Sequence, residues 1–150
     1  MVNNSHGTLV DVAGSGVLLR GASGVGKSDL ALRLIDRGAV LVADDQVLLE
    51  ARNWGLKGFA PDALYGLLEV RGIGVMSLPA IKTAKVKLVV DLIGRLDVPR
   101  LPEARIVTLC DVALPGLRLH AFDMATPQKI ELALRYPDQI GQGVEDYKKG

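Results

Sequence analysis

The segment Gly21-Ala22-Ser23-Gly24-Val25-Gly26-Lys27-Ser28 has the spacing G-x-x-x-x-G-K-S. Those residue types suit a phosphate chain. Gly21, Gly24 and Gly26 let the backbone turn tightly and aim its N–H groups inward. A helix starting there would point its positive end at the phosphates. Lys27 could reach the β and γ phosphates, and Ser28 could place its hydroxyl on Mg²⁺. Asp44 and Asp45 follow Lys27 by 17 and 18 residues. They close an apolar run, so they belong at the carboxyl end of a strand, where ligands bind in open α/β sheets. A carboxylate there can take a proton from an attacking hydroxyl or help hold a metal. An acid this close to the glycine loop suggests a kinase arrangement rather than a GTPase one. Glu69 and Arg71, two apart in Glu-Val-Arg-Gly-Ile-Gly, would share a strand face and could serve metal and phosphate. A surface ion pair before a turn reads equally well.

These residues need elements to position them. Thr8–Val12 and Val17–Leu19 read as a β-hairpin whose second strand feeds the glycine loop. A helix is expected over Lys27–Arg37, with Leu30, Leu34 and Ile35 as its apolar stripe and Gly38 closing it. Ala39–Ala43 reads as a strand buried on both faces, and Gln46–Glu50 and Leu67–Val70 as further strands. Lys87–Ile93 is the clearest late strand, followed by Ile106–Cys110 and Leu117–Phe122. Thr126 before Pro127 reads as the N-cap of a last helix ending near Arg135. The polar tail after Tyr136 is expected to fray.

Composition sets the outer limits. The 150 residues suffice for one domain, and 49% apolar against 23% charged predicts a folded, soluble chain. A net charge of +1 gives no general pull toward nucleic acid or an anionic membrane. No apolar run is long enough to cross a bilayer, and the N-terminus lacks a signal-peptide pattern. The single cysteine, Cys110, permits no internal disulfide, reads as a core residue and fits a reducing cytoplasm. From the residues alone, His6 reads as an exposed terminal histidine and His120 as structural. Lys82, Lys85 and Lys87 read as a solvated edge.

The order of these motifs resembles the catalytic domain of the HPr kinase/phosphorylase family. His-Gly-x-Leu-Val-Asp-Val from His6, the glycine loop, Leu-Val-Ala-Asp-Asp and Glu-Val-Arg-Gly-Ile-Gly carry the resemblance, over about the first half of the chain. The resemblance implies an α/β P-loop kinase domain similar to phosphoenolpyruvate carboxykinase, with the β-hairpin leading into the loop. It implies phosphorylation by ATP of a serine on an HPr-type phosphocarrier protein, in a cytoplasmic homo-oligomer, hexameric in known members. By the same resemblance, residues 21–28 bind ATP, Ser28 and Glu69 hold Mg²⁺, and Asp44 accepts the serine proton. Lys27 neutralises the transferring phosphate, and His6 and Arg71 are catalytic. Two departures stand out. The additional N-terminal domain of longer members is expected to be absent, as in short alphaproteobacterial-like forms, so residues 1–150 form one catalytic domain. The late phosphorylase pattern is reduced to Pro115-Gly116 and Arg118, with Arg100 nearest to a further family arginine. Kinase activity is therefore expected with phosphorylase weak or absent. A P-loop kinase for a small metabolite, or a non-enzymatic nucleotide-binding regulator of a phosphotransferase system, are the alternatives.

Overall fold

The computed structural model describes residues 1–143. Its centre is a strongly curled mixed sheet. The strands are β1 (Val2–His6), β2 (Thr8–Val12), β3 (Ser15–Arg20), β4 (Val40–Ala43), β5 (Gln46–Arg52) and β6 (Gly55–Phe59). After the separate hairpin of β7 (Leu67–Val70) and β8 (Gly74–Ser77) come β9 (Ala84–Leu92), β10 (Ile106–Leu109) and β11 (Val112–Leu119). Two helices, α1 (Lys27–Asp36) and α2 (Thr126–Arg135), pack on one face. The sheet order is β1-β5-β6-β9-β3-β2-β4, with β11 added beside β9 and β10 beside β11.

β3 and β9 run parallel, as do β9 and β11, while β2 is antiparallel to both β3 and β4. The carboxyl ends of β3, β4, β9 and β11 therefore lie at one end of the sheet. Alternation sorts the strand residues between two cores. Val17, Leu19, Leu88 and Val90 meet Leu30, Ala31 and Leu34 of α1 and Ile130 of α2. Leu18, Val89, Leu49 and Leu56 face the inside of the curl.

One ladder decides where the site forms. Val2–His6 pairs Gln46–Glu50, Gly7 N–H donates to Asp45 O at 3.2 Å, and Leu9 pairs Ala43. β1-β2 and β4-β5 are thus two long bent strands of one antiparallel ribbon. His6 and Asp45 sit together at its bend, and Thr8 faces Asp44.

The hairpin into the glycine loop forms as expected, turning on Ala13 and Gly14, both at positive φ. The helix ends at Asp36 with Gly38 just beyond it in the left-handed region. Other boundaries differ. β1 was not expected, since VNNSH has no apolar alternation; its backbone bonds to β5 make it a strand. β6 is hidden by its two glycines, and at Gly58 a Cβ would crowd the buried Leu9 side chain, which would have to shift. The last long strand is Val112–Leu119 rather than Leu117–Phe122, because Cys110 and Asp111, both at positive φ, turn β10 directly into it. Cys110 is accordingly a half-buried turn residue that packs against the edge of the inner core, its Sγ 3.2 Å from Asn3 Nδ2. Thr126 is not the N-cap of α2. Ala125 is, and the Thr126 hydroxyl donates to His120 O at 2.6 Å. His120 is structural, with Nδ1 2.9 Å from Ile93 O. Among the described residues no helix is long and apolar enough to cross a membrane.

Candidate active site

The loop between β3 and α1 is held by its own residues. Gly26, at φ 107°, precedes the first helical residue. The first bond into the helix runs from Leu30 N–H to Gly26 O at 2.9 Å. The amides of Lys27, Ser28 and Asp29 are therefore left at the positive helix end. A Cβ on Gly26 would come 2.7 Å from Phe122 Cζ and 2.8 Å from Ala121 Cβ, so glycine is needed for space as well as for φ. Lys27 is only 8% exposed. Its ammonium donates to Gly21 O at 2.7 Å and Ala22 O at 2.9 Å. Burial lowers its pKa against the opposing pull of Asp44 and Asp45.

Asp44 ties three elements together. Its Oδ1 accepts from the Thr8 hydroxyl and the Ser28 hydroxyl, each at 2.9 Å, and its Oδ2 accepts from the Glu69 N–H at 3.1 Å. It is buried, and both oxygens are engaged. Asp45 differs in every respect. It is exposed, sits at φ 69°, and holds Oδ1 3.6 Å from His6 Nδ1.

These groups surround one cavity of about 480 Å³. His6, Asp44, Asp45, Lys27 and Ser28 line it, with Ser23, Gly24 and Gly26 from the loop and Glu69 and Arg71 from the hairpin. Gly21, Ala22 and Val25 do not. The first two cap Lys27 through their carbonyls, and Val25 packs against the core beneath the helix. Arg71 is also not on the strand with Glu69. β7 ends at Val70, and Arg71 lies in the turn, so the expected alternation does not bring the two together; the hairpin's shape does. Asp29, Leu32 and Phe122 line the cavity too and had no sequence signal. Phe122 arrives because Arg33, paired with Asp29 at 3.1 Å, also bonds Ala121 O and Asp123 O and so pins the β11–α2 connection to α1.

The donor set suits a hard cation shared with phosphates. The Ser28 hydroxyl and the Asp44 carboxylate are adjacent oxygen donors, and the Glu69 side chain lines the same cavity. Among the described residues no three acids, histidines or cysteines cluster as a metal cage. Mg²⁺ does not need one, since it is held by one or two carboxylates plus phosphate oxygens.

The family model for the HPr serine kinase C-terminal domain matches residues 1–113. The chain belongs to the HPr serine kinase C-terminal domain family. It is 34% identical over 176 aligned positions to an HPr kinase/phosphorylase of Geobacillus sp. strain WCH70, covering 95% of this chain and 56% of that one. It is 44% identical over 111 positions to that of Variovorax paradoxus strain S110, covering 66% and 35%. The chain thus spans about half or less of the length of these curated relatives. A solved structure of the Hpr(Ser) kinase/phosphatase from Coxiella burnetii superposes with a TM-score of 0.80 at 27% identity, covering 91% of this chain and 90% of that one. The curled mixed sheet is therefore the fold of this family.

Next to the loop, Asp91 at the end of β9 accepts from Arg20 Nε at 2.8 Å and Arg105 at 2.6 Å. Burial alone would raise its pKa, but these two arginines outweigh it and hold the carboxyl below the usual aspartate range. A lowered folded pKa contributes stability that is full above the unfolded value of about 3.9 and is lost as pH falls through the folded value. Asp91→Asn should therefore flatten the acid limb of the stability curve, measured as Tm from neutral pH downward. An unchanged acid limb would contradict this assignment.

Proposed function

We propose that this chain is the catalytic domain of a protein serine kinase that uses ATP and Mg²⁺ to phosphorylate an HPr-type phosphocarrier. The observation that carries the reading is the meeting, in one cavity, of the glycine loop, its buried lysine and the Asp44–Asp45 pair. The loop amides and Lys27 would hold the phosphates, as in P-loop kinases and phosphoenolpyruvate carboxykinase. Ser28 and Glu69 would hold Mg²⁺, with Asp44 beside them. The metal supplies charge neutralisation on the phosphates.

The two aspartates divide the remaining work. The family resemblance implies proton acceptance at Asp44, but Asp44 spends both oxygens on Thr8, Ser28 and the Glu69 amide. Asp45 is open to the cavity and backed by His6. We therefore place proton acceptance at Asp45 and give Asp44 the positioning of Ser28. As the serine oxygen bonds to the γ phosphorus and ADP leaves, the hydroxyl proton passes to the Asp45 carboxylate. Arg71, which lines the same cavity, would meet charge on the transferring group. By family resemblance the enzyme would work in the cytoplasm as a homo-oligomer, hexameric; the reduced pattern at Pro115-Gly116 and Arg118, a departure from the family, supports weak or no phosphorylase activity.

The test is labelled ATP with Mg²⁺ and purified HPr-type carriers from the same organism. Serine-linked label on a carrier is the expected result. Label on a small metabolite instead would replace the reading with a metabolite kinase. Tight nucleotide binding with no transfer to any carrier would leave a regulator.

A further inference from the structure

The cavity of about 480 Å³ at the glycine loop falls within the roughly 300–1,000 Å³ of pockets that enclose a whole small ligand. Its charged groups serve phosphate, metal and proton in the reading above. That leaves two exposed apolar lining residues, Leu32 and Phe122, without a part. Phe122 is half exposed, yet its place is fixed. Arg33 donates to the carbonyls of its neighbours Ala121 and Asp123, and Arg95 Nε donates to the Asp123 carboxylate at 2.7 Å. The Thr126 hydroxyl holds the His120 carbonyl, and the His120 and Phe122 rings meet T-shaped at 5.9 Å. Through Cζ and Cε2 the Phe122 ring reaches the backbone of Gly26. Burial of the ring would explain such a scaffold, but an aromatic side chain left half in water forgoes much of its hydrophobic stabilisation. A ligand laid on the ring would recover it.

The strand order says which part of a nucleotide lies there. At its carboxyl end β9 has β3 on one side and β11 on the other, so the order is β11-β9-β3-β2-β4. The glycine loop leaves β3 in the middle. Asp44-Asp45 ends β4 on one flank, and Phe122 follows β11 on the other. A phosphate chain on the loop with its transferring group at Asp45 therefore sends its nucleoside toward Phe122. We propose that Phe122 is the platform on which the nucleobase stacks. The inference rests on the nucleotide reading of this cavity. Every base has a π face, so such a platform holds the nucleoside without reading its edge. Leu32, one turn beyond Ser28 on α1, adds apolar surface to the same cavity.

The probes are MgATP and magnesium ribose 5-triphosphate, which keeps the sugar and phosphates and lacks the base. Each is titrated by calorimetry into the natural chain, Phe122→Ala and Phe122→Tyr, with Tm checking that the variants fold. Phe122→Ala should weaken ATP by roughly 5- to 100-fold, the range for loss of one stacking aromatic, and leave ribose 5-triphosphate unchanged. Phe122→Tyr should restore ATP affinity. A variant-free readout is at hand, because Phe59 and Phe122 are the only phenylalanines. With labelled phenylalanine, ATP should shift the Phe122 ring signals and ribose 5-triphosphate should not, with Phe59 as the reference. Equal losses for both ligands would make Phe122 a support of the loop and overturn the proposal, as would ATP binding untouched by Phe122→Ala. Binding of neither ligand to the natural chain would sink the nucleotide reading itself. Carrier phosphorylation enters none of these outcomes.

Discussion

Lys27→Met should lower phosphoryl transfer by roughly 10²- to 10³-fold, the range seen when one preorganised charge or donor is removed from a transition state. The ammonium is buried, and only two loop carbonyls and the nearby Asp44 and Asp45 offset the cost of burying it. A charge kept dry at that cost is a strong local field where phosphate charge shifts toward the leaving group. Methionine keeps most of the aliphatic stem that fills the space under the loop, so folding should survive. Tm and circular dichroism should match the natural chain while kcat falls. Arginine should not rescue the rate, because the buried Lys27 site holds a compact ammonium against Gly21 O and Ala22 O and a guanidinium is larger and planar. Transfer within about tenfold of the natural rate would remove Lys27 from the transition state.

Much of this arrangement was legible because its signals are local. The glycine loop, the helix after it and Gly38 each depend on near neighbours, and spacing alone recovers them. Asp44-Asp45 at the end of β4 was equally plain. What spacing could not carry was which carboxylate is free. That depends on Thr8, which reaches Asp44 only because β1-β2 and β4-β5 form one ribbon, and on the Glu69 amide from a separate hairpin. His6 is the same case. Its own segment is polar and shows no period, and it enters the site through backbone pairing with β5. Arg71 failed the alternation argument because the strand stops one residue short of it. Phe122 had no local signal; Arg33, far away in sequence, sets its place. Contacts between distant segments thus decided what periodicity left open.

The division between the two aspartates gives the second large effect. Asp45→Asn should reduce transfer to the carrier by about 10²- to 10⁴-fold, the usual contribution of a general base. Nucleotide affinity should stay near that of the natural chain. Asparagine is the right probe because residue 45 sits at φ 69°, a region that asparagine tolerates better than other non-glycine residues. Alanine there would mix backbone strain with loss of the base. Asp44→Asn should behave differently. Its amide must face either the Glu69 N–H, donor against donor, or the Thr8 and Ser28 hydroxyls, which would have to turn. Either way one buried acceptor is lost, so the loop and hairpin loosen. Thermal stability should fall, and the KM for MgATP should rise several-fold. The two variants therefore separate on different axes, one in kcat alone and the other in KM and Tm. If Asp44→Asn gave the pure kcat loss while Asp45→Asn transferred phosphate normally, proton acceptance would return to the buried aspartate. Thr8 and the Glu69 amide would then have to release it during turnover.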